Sequence, residues 1–206
     1  MMRRRRAAIG VILAGGSGRR IGGSKAVVQL AGQPLISYPL AAVRTALGDV
    51  AVVAKADTQL PSLPGVTVWV EPDSPRHPVL GIVQALALAE GRAVVICAGD
   101  LPFVTPELIY RLATADMGKS PAVVACCGTD VQPLLGCYAP RAIDPLRRWL
   151  PADAPMRELV ESLHPRMLEV GDPELLFNIN SPEDLLHAAA ILDGRARAAR
   201  PPATQT

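Results

Sequence analysis

The sequence predicts one α/β domain built on a doubly wound, mostly parallel sheet. Three observations predict it. Short apolar runs rich in branched residues alternate with segments of helical spacing, the order of strand, crossover helix and strand. Half of the 206 residues are apolar and only 3% are aromatic, the Ala, Val and Leu palette with which helices cover a buried parallel sheet. The first apolar run ends abruptly in a glycine-rich, basic loop, where such a sheet holds a phosphorylated ligand.

Taken in order, Ala7 to Leu13 reads as a strand buried on both faces. Val27 to Leu30 is a short apolar piece, Gly32-Gln33-Pro34 a turn, and Leu35 to Leu47 a helix that stops near Gly48. Val50 to Ala54 and Val66 to Val70 are the next strands, separated by a proline-bearing loop over 57–65. Glu71 to Pro78 holds Pro72, Pro75 and Pro78 and must be loop. Leu80 to Ala89 has helical spacing, and Ala93 to Ala98 is a strong fourth strand. Thr105 to Ala115 is a helix, with Thr105 as cap, Pro106 at its first position and Glu107 in its first turn. Ala122 to Cys126 and Leu134 to Tyr138 are strands about a Gly128–Asp130 turn. Pro140 to Leu150 and Pro155 to Leu163 are helices, Met167 to Val170 is a short strand, and Pro182 to Leu192 is a last helix capped by Ser181. No repeat or linker divides the chain. Residues 1–6 read as a disordered basic N-terminus, 7–193 as one domain, and 194–206, rich in Arg, Ala and Pro, as a disordered tail.

The net charge of +2 rests on the run Arg3–Arg6, without which the chain is close to neutral. That is not the footprint of a nucleic-acid binder. No segment reaches the roughly 20 apolar residues of a membrane span. Cys97, Cys126, Cys127 and Cys137 form no C-x-x-C pair and lie in apolar runs. They read as reduced thiols of a cytoplasmic protein.

The stretch Ile9–Lys25, IGVILAGGSGRRIGGSK, carries the chemistry. Gly15, Gly16, Gly18, Gly22 and Gly23 let backbone N–H groups approach phosphate oxygens, and Arg19, Arg20 and Lys25 neutralise charge. The Walker pattern fails because Lys25 follows Ser24 and precedes Ala26, and the dinucleotide fingerprint fails by one residue of spacing. The stretch resembles the signature L-A-G-G-x-x-x-R-x-G-x-x-K of the MobA-like nucleotidyltransferases, the molybdenum cofactor guanylyltransferases and their relatives. Leu13, Ala14, Gly15, Gly16, Arg19, Gly22 and Lys25 fall in place.

Two further motifs agree. The fourth strand ends in Gly99-Asp100-Leu101-Pro102, and an acid at that rim suits a Mg2+ ion held against phosphates. The family's G-D-x-P aspartate is its metal ligand. Near the end, Asn178-Ile179-Asn180-Ser181-Pro182-Glu183-Asp184 resembles the family's N-x-N-T-P-E-D, which implies that Asn180 completes the metal site. The same residues also spell a helix cap, Ser181 with Asp184.

The resemblance implies a Rossmann-like sheet of the nucleotide-diphospho-sugar transferase type, Mg2+ as cofactor, GTP and Mo-molybdopterin as substrates, and molybdoenzymes or their chaperones as further partners. It implies nucleotide contacts from Leu13, Ala14, Gly15, Gly16, Lys25, Asp100 and an acid after the third strand, Asp73 with Glu71 as runner-up, that meets the guanine ring. Arg19, Lys25 and Asp100 would carry catalysis. His77 and Val79 depart from the family's next turn, Lys55 or Ala54 stands at a usual asparagine, and Gln132-Pro133-Leu134 and Arg157 fall in the acceptor region. A cytidylyltransferase of this fold typically reads L-A-A-G, and the second glycine leaves room for the larger purine. A non-catalytic nucleotide-binding chaperone is the reading from another class, opposed by Lys25 and Asp100.

Overall fold

The computed structural model describes residues 7–15, 24–74, 77–150 and 155–198. The chain runs β1 (Ile9–Leu13), β2 (Gln29–Leu30), β3 (Gln33–Pro34), α1 (Ser37–Ala46), β4 (Val50–Ala54) and β5 (Thr67–Val70). It continues through α2 (Pro78–Leu88), β6 (Val94–Ala98), α3 (Pro106–Thr114), β7 (Ala122–Cys127) and β8 (Asp130–Tyr138). It ends with α4 (Ile143–Trp149), α5 (Met156–Glu161), β9 (Arg166–Glu169) and α6 (Pro182–Ala198). Among the described residues seven strands form one sheet in the order β5-β4-β1-β6-β8-β7-β9, and of these β8 alone runs against its neighbours. Its turn from β7 is too short for a crossover, which a parallel strand requires, and Gly128 supplies the positive φ of 57° there.

Every residue of β1 and β6 is buried. Alternate side chains enter two cores. Ile12, Val52, Val95, Leu40 and Leu108 pack on one face, under α1 and α3. Val11, Val53, Ile96, Leu86, Leu146 and Leu159 pack on the other, under α2, α4 and α5. A third, smaller cluster of Leu30, Leu35, Phe103, Ile179 and Ala188 seats α6 against the β2–β3 hairpin. Among the described residues no helix is long and apolar enough to cross a membrane.

Three local expectations are corrected. The first tight turn falls at Ala31 and Gly32, both with positive φ, so Gln33-Pro34 is strand. The strand expected from Leu134 starts at Asp130, so Gln132 and Pro133 lie inside β8, and the register slips between Val124 and Ala125, which pair with Gly136 and Gln132. Pro133 has no N–H for a ladder, and the bulge absorbs it while the buried Tyr138 hydroxyl donates to its carbonyl at 2.6 Å. Residues 194–198, read as tail, are helical. Their Ala and Arg are good helix formers; Arg195 pairs with Glu174 and lies 4.8 Å over the Phe103 ring.

At Gly136 an added Cβ would stand 2.7 Å from the Val123 carbonyl oxygen, a backbone atom that cannot yield. Gly136→Ala is expected to cost about 2 kcal/mol by overpacking, a fall of roughly 4–8 °C in Tm for a chain of this size. A melting curve that matches the parent would refute the crowding.

Candidate nucleotide and metal site

The sheet order reverses between β1 and β6, and a crevice opens at such a point beyond the strands' carboxyl ends. The two strands finish level, with Leu13 opposite Ala98. The Gly99 N–H donates to the Leu13 carbonyl at 3.0 Å, and a Cβ at Gly99 would sit 3.2 Å from that oxygen. Glycine therefore lets the two strand ends close together immediately before Asp100. Leu13 and Ala14 are buried and Gly15 is exposed, so the first two can meet a ligand only through their backbone. Gly16, Gly22 and Arg19 lie outside the described residues.

Three motifs far apart in sequence meet at Lys25. It opens a short 3-10 turn, Lys25–Val27. Its Nζ donates to Asp100 Oδ2 at 2.8 Å and to Asn180 Oδ1 at 2.6 Å. The Lys25 and Asp100 side chains are 18% and 20% exposed, so the pair is sheltered yet reaches solvent. Asn180 is held by its backbone. The Ile179 N–H donates to the Asp100 carbonyl at 3.0 Å. Asp184 Oδ2 accepts from the N–H groups of Asn180 at 2.8 Å and Ser181 at 2.9 Å, and the Ser181 hydroxyl accepts from Asp184 N at 3.1 Å. The cap and the site are thus one device: backbone groups close the helix while the Asn180 side chain faces Lys25. Thr105 caps α3 as expected, accepting from Leu108 N at 3.2 Å.

The Asn180 N–H, with lesser help from Ser181 and the Lys25 charge, holds the Asp184 carboxyl below the usual carboxylate range. Folding lowers its titration point, so its contribution is present above the unfolded carboxylate range and fades as acid protonates the folded form. Asp184→Ala is expected to lose about 1 kcal/mol of stability at pH 7, as capping losses do. The gap between the two urea midpoints should narrow at pH 3. A gap unchanged by acid would remove the carboxylate from the cap.

A second charged pair lies on the far side of β1. Ala54 pairs with Val70, so the next residues, Lys55 and Glu71, leave the sheet side by side. Lys55 Nζ stands 3.3 Å from Glu71 Oε1 and donates to the Pro72 carbonyl at 2.9 Å. Glu71 is buried against two glycines. A Cβ on Gly15 would lie 3.8 Å from Oε1, and one on Gly81 would lie 3.1 Å from Oε2. Asp73 is exposed further along the loop. The acid beside Gly15 is therefore Glu71. His77 caps α2, its Nδ1 accepting from Val79 N at 3.2 Å. Arg157 pairs with Glu161 and donates to the Thr129 carbonyl at the β7–β8 turn.

All four cysteines are free thiols. Burial pushes the Cys137 thiol up to about 12 and Cys97 higher still, so neither is a nucleophile. Among the described residues no three His, Cys, Asp or Glu side chains cluster to enclose a metal. Asp100 and Asn180 offer one carboxylate and one amide oxygen, a donor set that suits Mg2+ when phosphates and waters supply the rest.

The sequence did not disclose the Lys25–Asn180 bond or the Lys55–Glu71 pair. The first needs the C-terminal segment folded back on β6, and the second needs the β4–β5 register. Neither leaves a local pattern.

Residues 10–167 match the family model described as the MobA-like NTP transferase domain. A molybdenum cofactor guanylyltransferase of Cereibacter sphaeroides is 31% identical over 188 residues, covering 89% of this chain and 96% of that one. A probable molybdenum cofactor guanylyltransferase of Thermococcus gammatolerans is 30% identical, covering 86% and 96%. Among solved structures, molybdopterin-guanine dinucleotide biosynthesis protein A from Archaeoglobus fulgidus superposes with a TM-score of 0.73 at 26% identity, covering 90% of this chain and 99% of its own.

Proposed function

The chain belongs to the MobA-like NTP transferase family, and from that premise we propose that it is a molybdenum cofactor guanylyltransferase. It transfers GMP from GTP to molybdopterin carrying molybdenum. The terminal phosphate oxygen of the pterin attacks the α-phosphorus, that P–O bond forms, the bond to the β-phosphate bridge breaks, and pyrophosphate leaves with the electron pair. The observation that carries the reading is Lys25 Nζ at 2.8 Å from Asp100 and 2.6 Å from Asn180, because it joins three separate motifs at the crevice.

The nucleophile is already an anion, so alignment and charge neutralisation suffice and no covalent enzyme intermediate is needed. Asp100 and Asn180 would hold a Mg2+ ion, which would supply the positive charge that polarises the α-phosphate. The backbone of Leu13, Ala14, Gly15 and Gly16 cradles the triphosphate. Lys25 and Arg19 donate to the departing pyrophosphate, as the N–H groups of cationic side chains suit phosphate oxygens. Glu71 accepts from the guanine N1–H and 2-amino group, the two donors that a carboxylate matches; its place beside Gly15 favours it over Asp73. Reduced thiols suit a cytoplasmic setting.

The direct test is thermal. The protein is melted with Mg2+ and each nucleoside triphosphate in turn, and GTP should raise Tm most. Pyrophosphate release with GTP and Mo-molybdopterin then separates an enzyme from a binding module. CTP as the stabilising nucleotide, or binding without release, would overturn the assignment. Glu71→Gln is expected to raise KM for GTP by roughly ten- to a hundredfold, the span of one hydrogen bond to a charged group. Its kcat should change little, since the base does not react. A Glu71→Gln enzyme with unaltered KM would return the role to Asp73.

A further inference from the structure

The geometry points to Lys25 as a competitor built into the metal site, one that couples metal binding to phosphate binding. The inference rests on the function proposed above, which assigns the metal to Asp100 and Asn180. The Lys25 ammonium bonds those same two side chains, at 2.8 Å through Asp100 Oδ2 and 2.6 Å through Asn180 Oδ1. A Mg2+ ion needs oxygen lone pairs at about 2.0–2.1 Å. An ammonium proton and a divalent ion cannot share a lone pair, and two cations set side by side repel.

Which partner gives way follows from how each is held. Asn180 is fixed by the bonds of its N–H to Asp184 at 2.8 Å and of its neighbour Ser181 at 2.9 Å. Asp100 is fixed by the bond of its carbonyl to Ile179 N at 3.0 Å. Lys25 reaches both along a flexible four-carbon stem. The ammonium is the group that moves.

A metal arriving alone must therefore take Lys25 off two charge-assisted acceptors with nothing offered in return. A polyphosphate changes the balance, because its oxygens accept from Lys25 and also ligate the metal. Metal and phosphate then bind with positive coupling, and linkage makes the factor equal in both directions. Lys25 thereby selects the metal–nucleotide complex over the bare ion, in addition to its part in neutralising pyrophosphate.

The test measures Mn2+ bound to the full chain at fixed free Mn2+, by electron paramagnetic resonance, with and without pyrophosphate. Parent, Lys25→Met and Lys55→Met proteins are compared, with Lys25→Gln in reserve should the first not fold. Lys55 is the control: it is a cation whose Nζ bonds Glu71 and Pro72, so its loss changes net charge equally. Lys25→Met should bind Mn2+ alone roughly ten- to a hundredfold tighter than the parent, the worth of one charge-assisted hydrogen bond. Pyrophosphate should tighten Mn2+ on the parent and add little on Lys25→Met, and Lys55→Met should behave as the parent. Equal Mn2+ affinity in Lys25→Met and parent, or an equal gain in Lys55→Met, overturns the inference. A parent that binds no Mn2+ even with GTP removes the metal from Asp100 itself, a different result that ends the underlying assignment.

Discussion

Asp100→Asn is expected to lower kcat on the order of a thousandfold, the scale set by losing a principal charge stabiliser at a reacting phosphate. The substitution keeps the side chain's shape and one carbonyl oxygen for Lys25, so the fold should survive. It removes the anionic oxygen, so the site is left with two neutral amide oxygens and no negative charge of its own to hold a divalent ion. The loss should appear with saturating GTP and shrink in part at high Mg2+ concentration. On the proposed assignment other groups meet the base and phosphates, so GTP should still raise Tm. A folded Asp100→Asn protein with near-normal turnover at physiological Mg2+ would refute the role.

Lys25→Ala is expected to cost kcat about a hundred- to a thousandfold, the scale for removing one preorganised donor to developing charge. Here the kcat and KM responses separate two roles. If Lys25 stabilises charge on the departing pyrophosphate, kcat falls and KM changes less. A pure anchor for the triphosphate would raise KM and leave kcat alone. Stability should move little: the pair is sheltered but reaches solvent, at 18% and 20% side-chain exposure, and Ala leaves Asp100 accessible to water. A collapse of Tm in Lys25→Ala would mean that the residue holds the fold together and would void the kinetic reading.

Much of the fold was legible because its signals are local. Val50–Ala54 was bounded to the residue, since a short branched run between turn formers admits one reading. The place of Asp100 at the rim was legible for a related reason: a buried strand that runs into Gly-Asp before a proline leaves the acid just past the strand's carboxyl end. What escaped was pairing. The Lys55–Glu71 contact depends on the register of β4 with β5, and the bulge at Pro133 depends on β8 lying between two strands that its backbone must satisfy. The end of α6 was misplaced because a tail rich in Ala and Arg looks solvated until Arg195 finds Glu174 and the Phe103 ring.

The partners of Lys25 lie 75 and 155 residues away along the polypeptide. Domains emerge from the ribosome amino end first, so a nascent chain can assemble the sheet's middle and its glycine turn while still lacking Asn180. The junction at Lys25 is therefore completed only after the strands of the sheet have been made, and a product truncated before Asn180 would carry Lys25 with one of its two partners missing.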